Sequence, residues 1–364
     1  MLDIHTMLAD MVTRGASDLH LKVGNHPYFR IDSVLTPTEY EIVTGEDTKR
    51  ISNSLMTDLR REKFKEVGEV DFAYEYAGVG RFRTNVFRQR GSVGIVMRMV
   101  KMQIPGFEEL GLPPQLGDIA LSERGIILMT GTTSCGKSTT LAAMVDWINQ
   151  NRKKHIMTIE DPIEYLHRDK NCLINQREVV LDTESFHRAL KHVMRQDPDV
   201  IVIGEMRDAE SFMGALAASD TGHLVFSTLH TTNASQAVGR ILDFFQEHER
   251  EQVRLQLSTN LRSVVCQRLI PKAVGIGVIP AVEIMIGSLT VQKMIYENEL
   301  DRLPAAIETG VDDGMQTFNQ ALLKLYNEKA ITREAALEHS SNAEALKMNM
   351  QGIFLDEARR ILAT

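Results

Sequence analysis

Residues 124–149, RGIILMTGTTSCGKSTTLAAMVDWIN, restrict the possible folds of this chain more than any other stretch. An apolar run of strand length, 126–130, leads into Gly131, Thr132, Thr133, Ser134, Cys135, Gly136, Lys137 and Ser138, which read G-x-x-x-x-G-K-S. Beyond them Leu141, Met144, Val145 and Ile148 recur at helical spacing. Strand, glycine-bounded loop and helix in that order form the context a phosphate-binding loop requires. Backbone N–H groups of such a loop and of the helix N-terminus point at anionic phosphates. Lys137 has the reach to meet β- and γ-phosphates, and the Ser138 hydroxyl is placed to ligate Mg²⁺. The alternative, a glycine-rich turn that binds nothing, is opposed by the correct flanks.

At 364 residues the chain is long enough for two or three domains with buried cores. Its net charge of −8 provides no global basic field to draw it to nucleic acid. Cys135, Cys172 and Cys266 are far apart and form no C-x-x-C pair, which argues against a disulfide framework or a zinc site and fits a reducing cytosol. No signal peptide and no apolar run of membrane-spanning length are visible, so any membrane association is expected to be peripheral or through a partner.

In the N-terminal third, Ile4, Met7, Leu8, Met11 and Val12 follow the spacing of one helix face. Candidate strands follow at 18–23, 28–35, 70–76, 80–88 and 92–100, interrupted by a charged helix at about 48–66. This pattern predicts a small α+β domain ending near Met102. Alternation in 80–88 places Arg81, Arg83 and Asn85 on one face and Phe82, Thr84 and Val86 on the other. Arg98 lies on the last strand. These arginines either form a solvated sheet face or reach the nucleotide of a neighbouring subunit, and nothing local decides. Residues 103–123 carry three prolines and three glycines and read as a linker merging into a short helix, a place where two domains would hinge.

After the phosphate loop, apolar strands at 155–160, 199–204 and 223–228 alternate with helical segments, the clearest at 184–196. Such alternation predicts an α/β fold with a parallel sheet whose functional residues gather at the carboxyl ends of the strands. Three clusters occupy those ends. TIEDPIEYL (158–166) offers Glu160, Asp161 and Glu164, and DPDVIVIGEMRD (197–208) offers Glu205 after Gly204. TGHLVFSTLHTTNA (221–234) brings His223 and His230. An acid after such a strand either acts through water on Mg²⁺, orients the attacking water, or merely caps a helix.

The sequence is similar to the secretion-type hexameric ATPases, and within them to the type IV pilus retraction motors of the PilT/PilU type. ASDLHL (16–21) and GVGRFRTNVF (78–87) resemble that family's N-terminal PAS-like domain. HIMTIEDPIE (155–164) resembles its Asp box, GEMRD (204–208) its Walker B, TGHLVFSTLHT (221–231) its His box, and GMQTFNQALLKLY (314–326) its C-terminal helical region. The resemblance implies a PAS-like α+β domain over 1–102, a linker over 103–123, a RecA-like P-loop ATPase core over 124–288 and a helical region over 289–364. It implies that Lys137 and Ser138 hold phosphate and Mg²⁺ with Thr139 continuing the loop, and that Glu164 and Glu205 polarise water or position the metal. His223 and His230 would lie near the γ-phosphate and the subunit boundary, and Arg81, Arg83 and Arg98 become candidates for arginines donated in trans. The implied protein is a cytoplasmic, ATP-hydrolysing homo-hexamer, bound peripherally at the inner-membrane base of the pilus machine. Its implied partners are the platform protein there and a paralogous retraction ATPase, with no nucleic acid expected.

Two departures from the family pattern stand out. The loop reads TTSC at 132–135, where the family more often has proline first and glycine-serine last. Ser134 must then take a backbone conformation that glycine accepts more easily. Cys135, beside Lys137 and a helix N-terminus, is either an acidified, oxidisable thiol or a small residue whose backbone N–H does the binding. The second is VQKMIYEN (291–298), where Tyr296 and Asn298 replace residues of the family's AIRNLIRE-type helix. These departures keep an accessory or non-catalytic subunit in view, and a nucleic-acid motor on the same core is the remaining rival. A strand is expected at 279–286, then helices from about Thr290 with Phe318, Leu322, Leu323 and Tyr326 on one stripe. Ser341 with Glu344 reads as a capping box. The tail MQGIFLDEARRILAT reads as an amphipathic core or subunit contact through Ile353, Phe354, Leu355, Ile361 and Leu362.

Overall fold

The computed structural model describes residues 2–31 and 34–353. The chain divides into two compact units, Met1–Gln103 with Glu164–Leu166, and Ile104–Ile163 with His167–Thr364. It therefore passes from one unit to the other three times, and the second and third passages flank the short segment Glu164–Leu166.

The first unit is built on a six-stranded antiparallel sheet of β1 (Asp18–Leu21), β2 (Tyr28–Ile31), β3 (Val34–Pro37), β4 (Glu69–Tyr76), β5 (Gly80–Gln89) and β6 (Ser92–Met99), in the order β3-β2-β1-β6-β5-β4. The expected single strand at 28–35 is two strands, β2 and β3, paired antiparallel. Alternation turns Phe82 and Val86 inward with Leu19, Leu21, Phe72, Ile95 and Met97, against Ile4, Met7, Leu8 and Met11 of the helix Ile4–Thr13. The expected charged helix is two. A capping box between Thr44 and Asp47 starts Gly45–Leu55, Met56 breaks it in extended conformation, and Thr57 begins Asp58–Val67.

The second unit carries a seven-stranded sheet of β7 (Gly125–Thr130), β8 (His155–Glu160), β9 (Leu173–Glu178), β10 (Val200–Ile203), β11 (Leu224–Leu229), β12 (Leu261–Pro271) and β13 (Val278–Ile286). The order is β13-β12-β7-β11-β10-β8-β9, parallel except for β13. Every residue of β7 is buried, which explains its uninterrupted apolar run. Ile126 and Leu128 enter a core on one face and Ile127 and Met129 a core on the other. Two strands escape the sequence pattern. β9 is an edge strand reading LINQRE, and β12 holds Arg262, Ser263, Gln267 and Arg268 among its apolar residues.

The stretch 103–123 is packed rather than loose. Its short helices Phe107–Leu110 and Gln115–Ala120, with the turn between them, place Leu112, Leu116, Ile119 and Ala120 in one core with Ile127, Met129, Leu141 and Met144. The C-terminal helices Leu289–Tyr296, Leu303–Thr309, Phe318–Asn327, Arg333–Glu338 and Ala343–Met350 bury Val291, Leu303, Phe318, Leu322, Ala336 and Leu346 in the core that also covers β10 and β11. They extend that core and make none of their own. Asn298 follows the first of these helices in left-handed conformation (φ 62°), which asparagine tolerates better than most residues. The expected capping box is corrected: the cap of Ala343–Met350 is Asn342, whose side chain accepts from the Ala345 N–H, while Ser341 N–H bonds Asn319. The expected amphipathic tail lies, from Phe354 onward, outside the described residues, and Ile353 is exposed.

Candidate functional site

The parallel register brings the ends of β7, β8, β10 and β11 to one edge of the sheet, with Leu229 paired to Thr130 and Ile203 to Ile159 and Ser227. The phosphate loop leaves Thr130 there and enters the helix Lys137–Asn151 through Gly136. Gly131 (φ 145°), Ser134 (φ 62°) and Gly136 (φ 90°) are all left-handed. A Cβ on Gly131 would lie 2.4 Å from Cys135 Sγ and 2.6 Å from the Gln267 carbonyl, and one on Gly136 would lie 2.7 Å from Gln267 Nε2. Gly131 is thus required by the closeness of the β12 backbone, while Gly136 is required by its left-handed φ, its near neighbour being the flexible end of the Gln267 side chain. Ser134 adopts the conformation expected of it, at a cost of about 1 kcal/mol.

Gln267 braces the loop. Buried to 3% exposure, it donates from Nε2 to the Cys135 carbonyl (2.7 Å) and accepts at Oε1 from Thr140 Oγ1 (2.7 Å). Lys137 Nζ donates to the carbonyls of Gly131 (2.8 Å) and Thr132 (2.9 Å), using two of its three N–H bonds. Thr132, Thr133 and Ser134 are exposed, and Ser138 and Thr139 are half-buried on the first turn of the helix. Cys135 is buried, as are Cys172 and Cys266, and all three thiols are free. Burial of Cys135 opposes the oxidisable-thiol alternative, since reactive thiols need exposure.

Glu205 follows β10 at the same edge. Its Oε2 accepts from Arg207 Nε (2.8 Å) and its Oε1 lies 3.4 Å from His230 Nε2, just past β11. That hydrogen bond holds the Arg207 guanidinium above its ordinary range. Gly204 occupies the place where related motifs carry aspartate, at a point where the backbones of β8 and β10 lie close. A Cβ would lie 3.2 Å from the Ile159 carbonyl and 3.3 Å from Glu160 Cα. Thr228 Oγ1 donates to the Gly204 carbonyl (2.7 Å), tying β11 to this turn. Glu160 accepts at Oε1 from Thr158 Oγ1 (2.7 Å) and Gln176 Nε2 (3.0 Å). Glu164 belongs to the first unit, where its carbonyl accepts from the Lys101 N–H (3.2 Å) and its side chain is exposed.

His223 requires a correction. It precedes β11, at the end of the strand opposite the phosphate loop, with its carbonyl bonded to Gly125 N–H and its Nδ1 2.9 Å from the Ala218 carbonyl. Seven residues of extended chain separate it from His230, roughly 23 Å at about 3.3 Å per residue. It does not join this chain's own phosphate loop.

The arginines share the face opposite the first unit's core. Arg83 stands directly across from Arg98, and Arg98 across from Asp18. Arg98 Nε donates to Asp18 Oδ1 (2.7 Å), and Arg30 Nε lies 3.7 Å from Oδ2. Asp18 is 2% exposed, Arg83 is exposed, and Arg81 is half-buried across from Glu75. Sequence reasoning missed Gln267, Thr140 and Arg207. A glutamine within the apolar run SVVCQRLI was the one visible signal for the brace.

The family described as type II/IV secretion system protein matches residues 1–321. The type IV pilus retraction ATPase PilT of Pseudomonas aeruginosa is 43% identical, over 94% of this chain and 99% of its own. The type IV pilus ATPase PilU of the same organism is 40% identical, over 95% and 91%. The crystal structure of the pilus retraction motor PilT with bound ADP superposes with a TM-score of 0.89 at 44% identity, covering 95% of this chain and 99% of that one. With its phosphate loop, its acid and histidine at one sheet edge and a match spanning 1–321, this chain belongs to the type II/IV secretion system protein family.

Proposed function

We propose that this protein is an ATP-hydrolysing motor that drives type IV pilus retraction, working as a homo-hexameric ring at the cytoplasmic face of the inner membrane. The observation that carries this reading is the gathering of Lys137, Glu205 and His230 at one sheet edge in a chain that aligns with a retraction ATPase over 94% of its length. ATP is the substrate. Lys137 exchanges its loop carbonyls for the β- and γ-phosphates, and the loop N–H groups bind the remaining oxygens. Glu205 accepts a hydrogen bond from the attacking water and aligns it, while His230 on the same carboxylate reports the γ-phosphate.

Among the described residues no group of three or more His, Cys, Asp or Glu is assembled to hold a metal alone. A hydroxyl at Ser138 and an acid at Glu205 suit Mg²⁺, which takes few protein ligands and completes its shell with phosphate oxygens and water. Bound there, Mg²⁺ neutralises charge on the β- and γ-phosphates. Arg81, Arg83 and Arg98 serve the neighbouring subunit's nucleotide, and relative motion of the two units converts turnover into force. Partners on this reading are the inner-membrane platform protein and a paralogous ATPase. Among the described residues no helix is long and apolar enough to cross a membrane.

The near-equal identity to PilU favours one second reading, an accessory subunit that acts with a paralogous motor. Phosphate release by the purified protein, beside Lys137→Ala and Glu205→Gln, separates the two. Turnover in a ring-sized species, falling at least about 10³-fold in Lys137→Ala, is expected of an autonomous motor. Tight ATP binding without turnover selects the accessory reading.

A further inference from the structure

Strands β12 and β13 carry polar side chains that face opposite ways. Gln267 faces the phosphate loop, whereas Cys266 and Arg268, its chain neighbours, face the other side of the sheet. Across from Cys266 on β13 stands Glu283, a carboxylate only 7% exposed. Burial raises its pKa, opposed by backbone N–H groups of Ala234 and Phe318 and by Arg268. The Ala234 N–H donates to Oε1 at 2.9 Å. Ala234 and Phe318 are the first residues of the helices Ala234–Leu242 and Phe318–Asn327. The first of these begins directly after residues 230–233, which carry His230.

Three further contacts reach the same place. Arg268 Nη2 donates to the Thr232 carbonyl (3.3 Å), and its guanidinium lies 3.8 Å from the centre of the Phe318 ring. Thr130, the last residue before the phosphate loop, donates from Oγ1 to Cys266 Sγ (2.7 Å). A buried carboxylate is costly where an apolar side chain would pack, so its place at two helix starts requires a reason.

We propose that Glu283 is a positioning residue: by gripping the start of the helix Ala234–Leu242, it holds 230–233 so that His230 meets Glu205 beside the phosphate loop. The inference rests on the ATPase reading above. Glu283→Gln keeps the volume but offers one carbonyl oxygen to two N–H donors. Its kcat for ATP is expected to fall about tenfold with KM within about twofold, the signature of lost alignment rather than lost binding. Combined with His230→Ala, it should cost nothing beyond His230→Ala alone, because both act through one imidazole.

Amide exchange over 230–236 should rise in Glu283→Gln while 126–130 stays protected. Multiplicative losses in the double variant, an unchanged kcat, or unchanged exchange at 230–236 would overturn the proposal. A wild-type protein without turnover sinks the ATPase reading, and the exchange measurement then still decides whether Glu283 holds the His230 segment. If Glu283→Gln does not fold, Arg268→Lys loosens the same segment at Thr232. The same non-additivity with His230→Ala is then expected, and additive losses count against the proposal.

Discussion

At the scale of single residues, the phosphate loop depends on a side chain far from it in sequence. Gln267 satisfies the Cys135 carbonyl and the Thr140 hydroxyl from the neighbouring strand. Replacing it with leucine leaves both groups buried without partners, which costs roughly 2–4 kcal/mol for the pair. Gln267→Leu is therefore expected to lower the stability of the nucleotide-binding unit by that amount and to weaken ADP binding. Denaturant unfolding with and without ADP reads both effects, and a fully stable variant with normal ADP affinity contradicts the brace. The loop's own residues were legible because their roles are local: glycine at left-handed φ, lysine and serine at fixed offsets. Gln267 was not legible, because its partners lie 132 and 127 positions away.

At the scale of elements, the first unit's sheet concentrates charge on one face. Arg83 and Arg98 stand opposite one another on β5 and β6, an arrangement that repels. Asp18 on β1, buried between Arg98 and Arg30, offsets it. Asp18→Asn leaves the arginines uncompensated and places an amide N–H toward one of them, so the sheet should lose roughly 2 kcal/mol, less than for fully buried pairs because Arg98 is exposed. Faster amide exchange in β1 and β6 is the expected signal, and unaltered protection there would show that the pair contributes nothing. The alternation of Arg81, Arg83 and Asn85 against Phe82, Thr84 and Val86 was readable from the period of two. The crossing row Arg83, Arg98, Asp18, Arg30 was not, because strand order and register come from pairing.

At the scale of the whole molecule, pH acts through His167. Largely buried, with Nδ1 unpartnered among the described residues, it has its pKa pushed down to about 4 by burial, Lys170 adding to the shift and Asp146 opposing it. The unfolded chain takes up this proton near pH 6.5 and the folded chain only near 4. The contribution is thus fully present above pH 6.5 and is lost as the pH falls toward 4, roughly 3 kcal/mol in all. Between pH 7.5 and 4.5 the wild-type nucleotide-binding unit should lose about that much more unfolding free energy than His167→Gln. Equal losses would mean that the imidazole is protonated in the fold.

The sequence alone determined what depends on neighbours along the chain. The phosphate loop, the strained Ser134, the α/β class, the alternation of β5 and the helical C-terminal third all follow from local spacing and backbone sterics. Only the tertiary structure decided what depends on pairing between distant segments. It set β12 beside β7, which makes Gly131 obligatory and supplies Gln267. It put His230 at the loop end of β11 and His223 at the other, although the two share one motif. It carried Glu164 into the first unit while Glu160, four residues earlier, stayed in the second. Spacing along a chain fixes which face a side chain occupies, and the register of paired strands fixes which other side chains it meets.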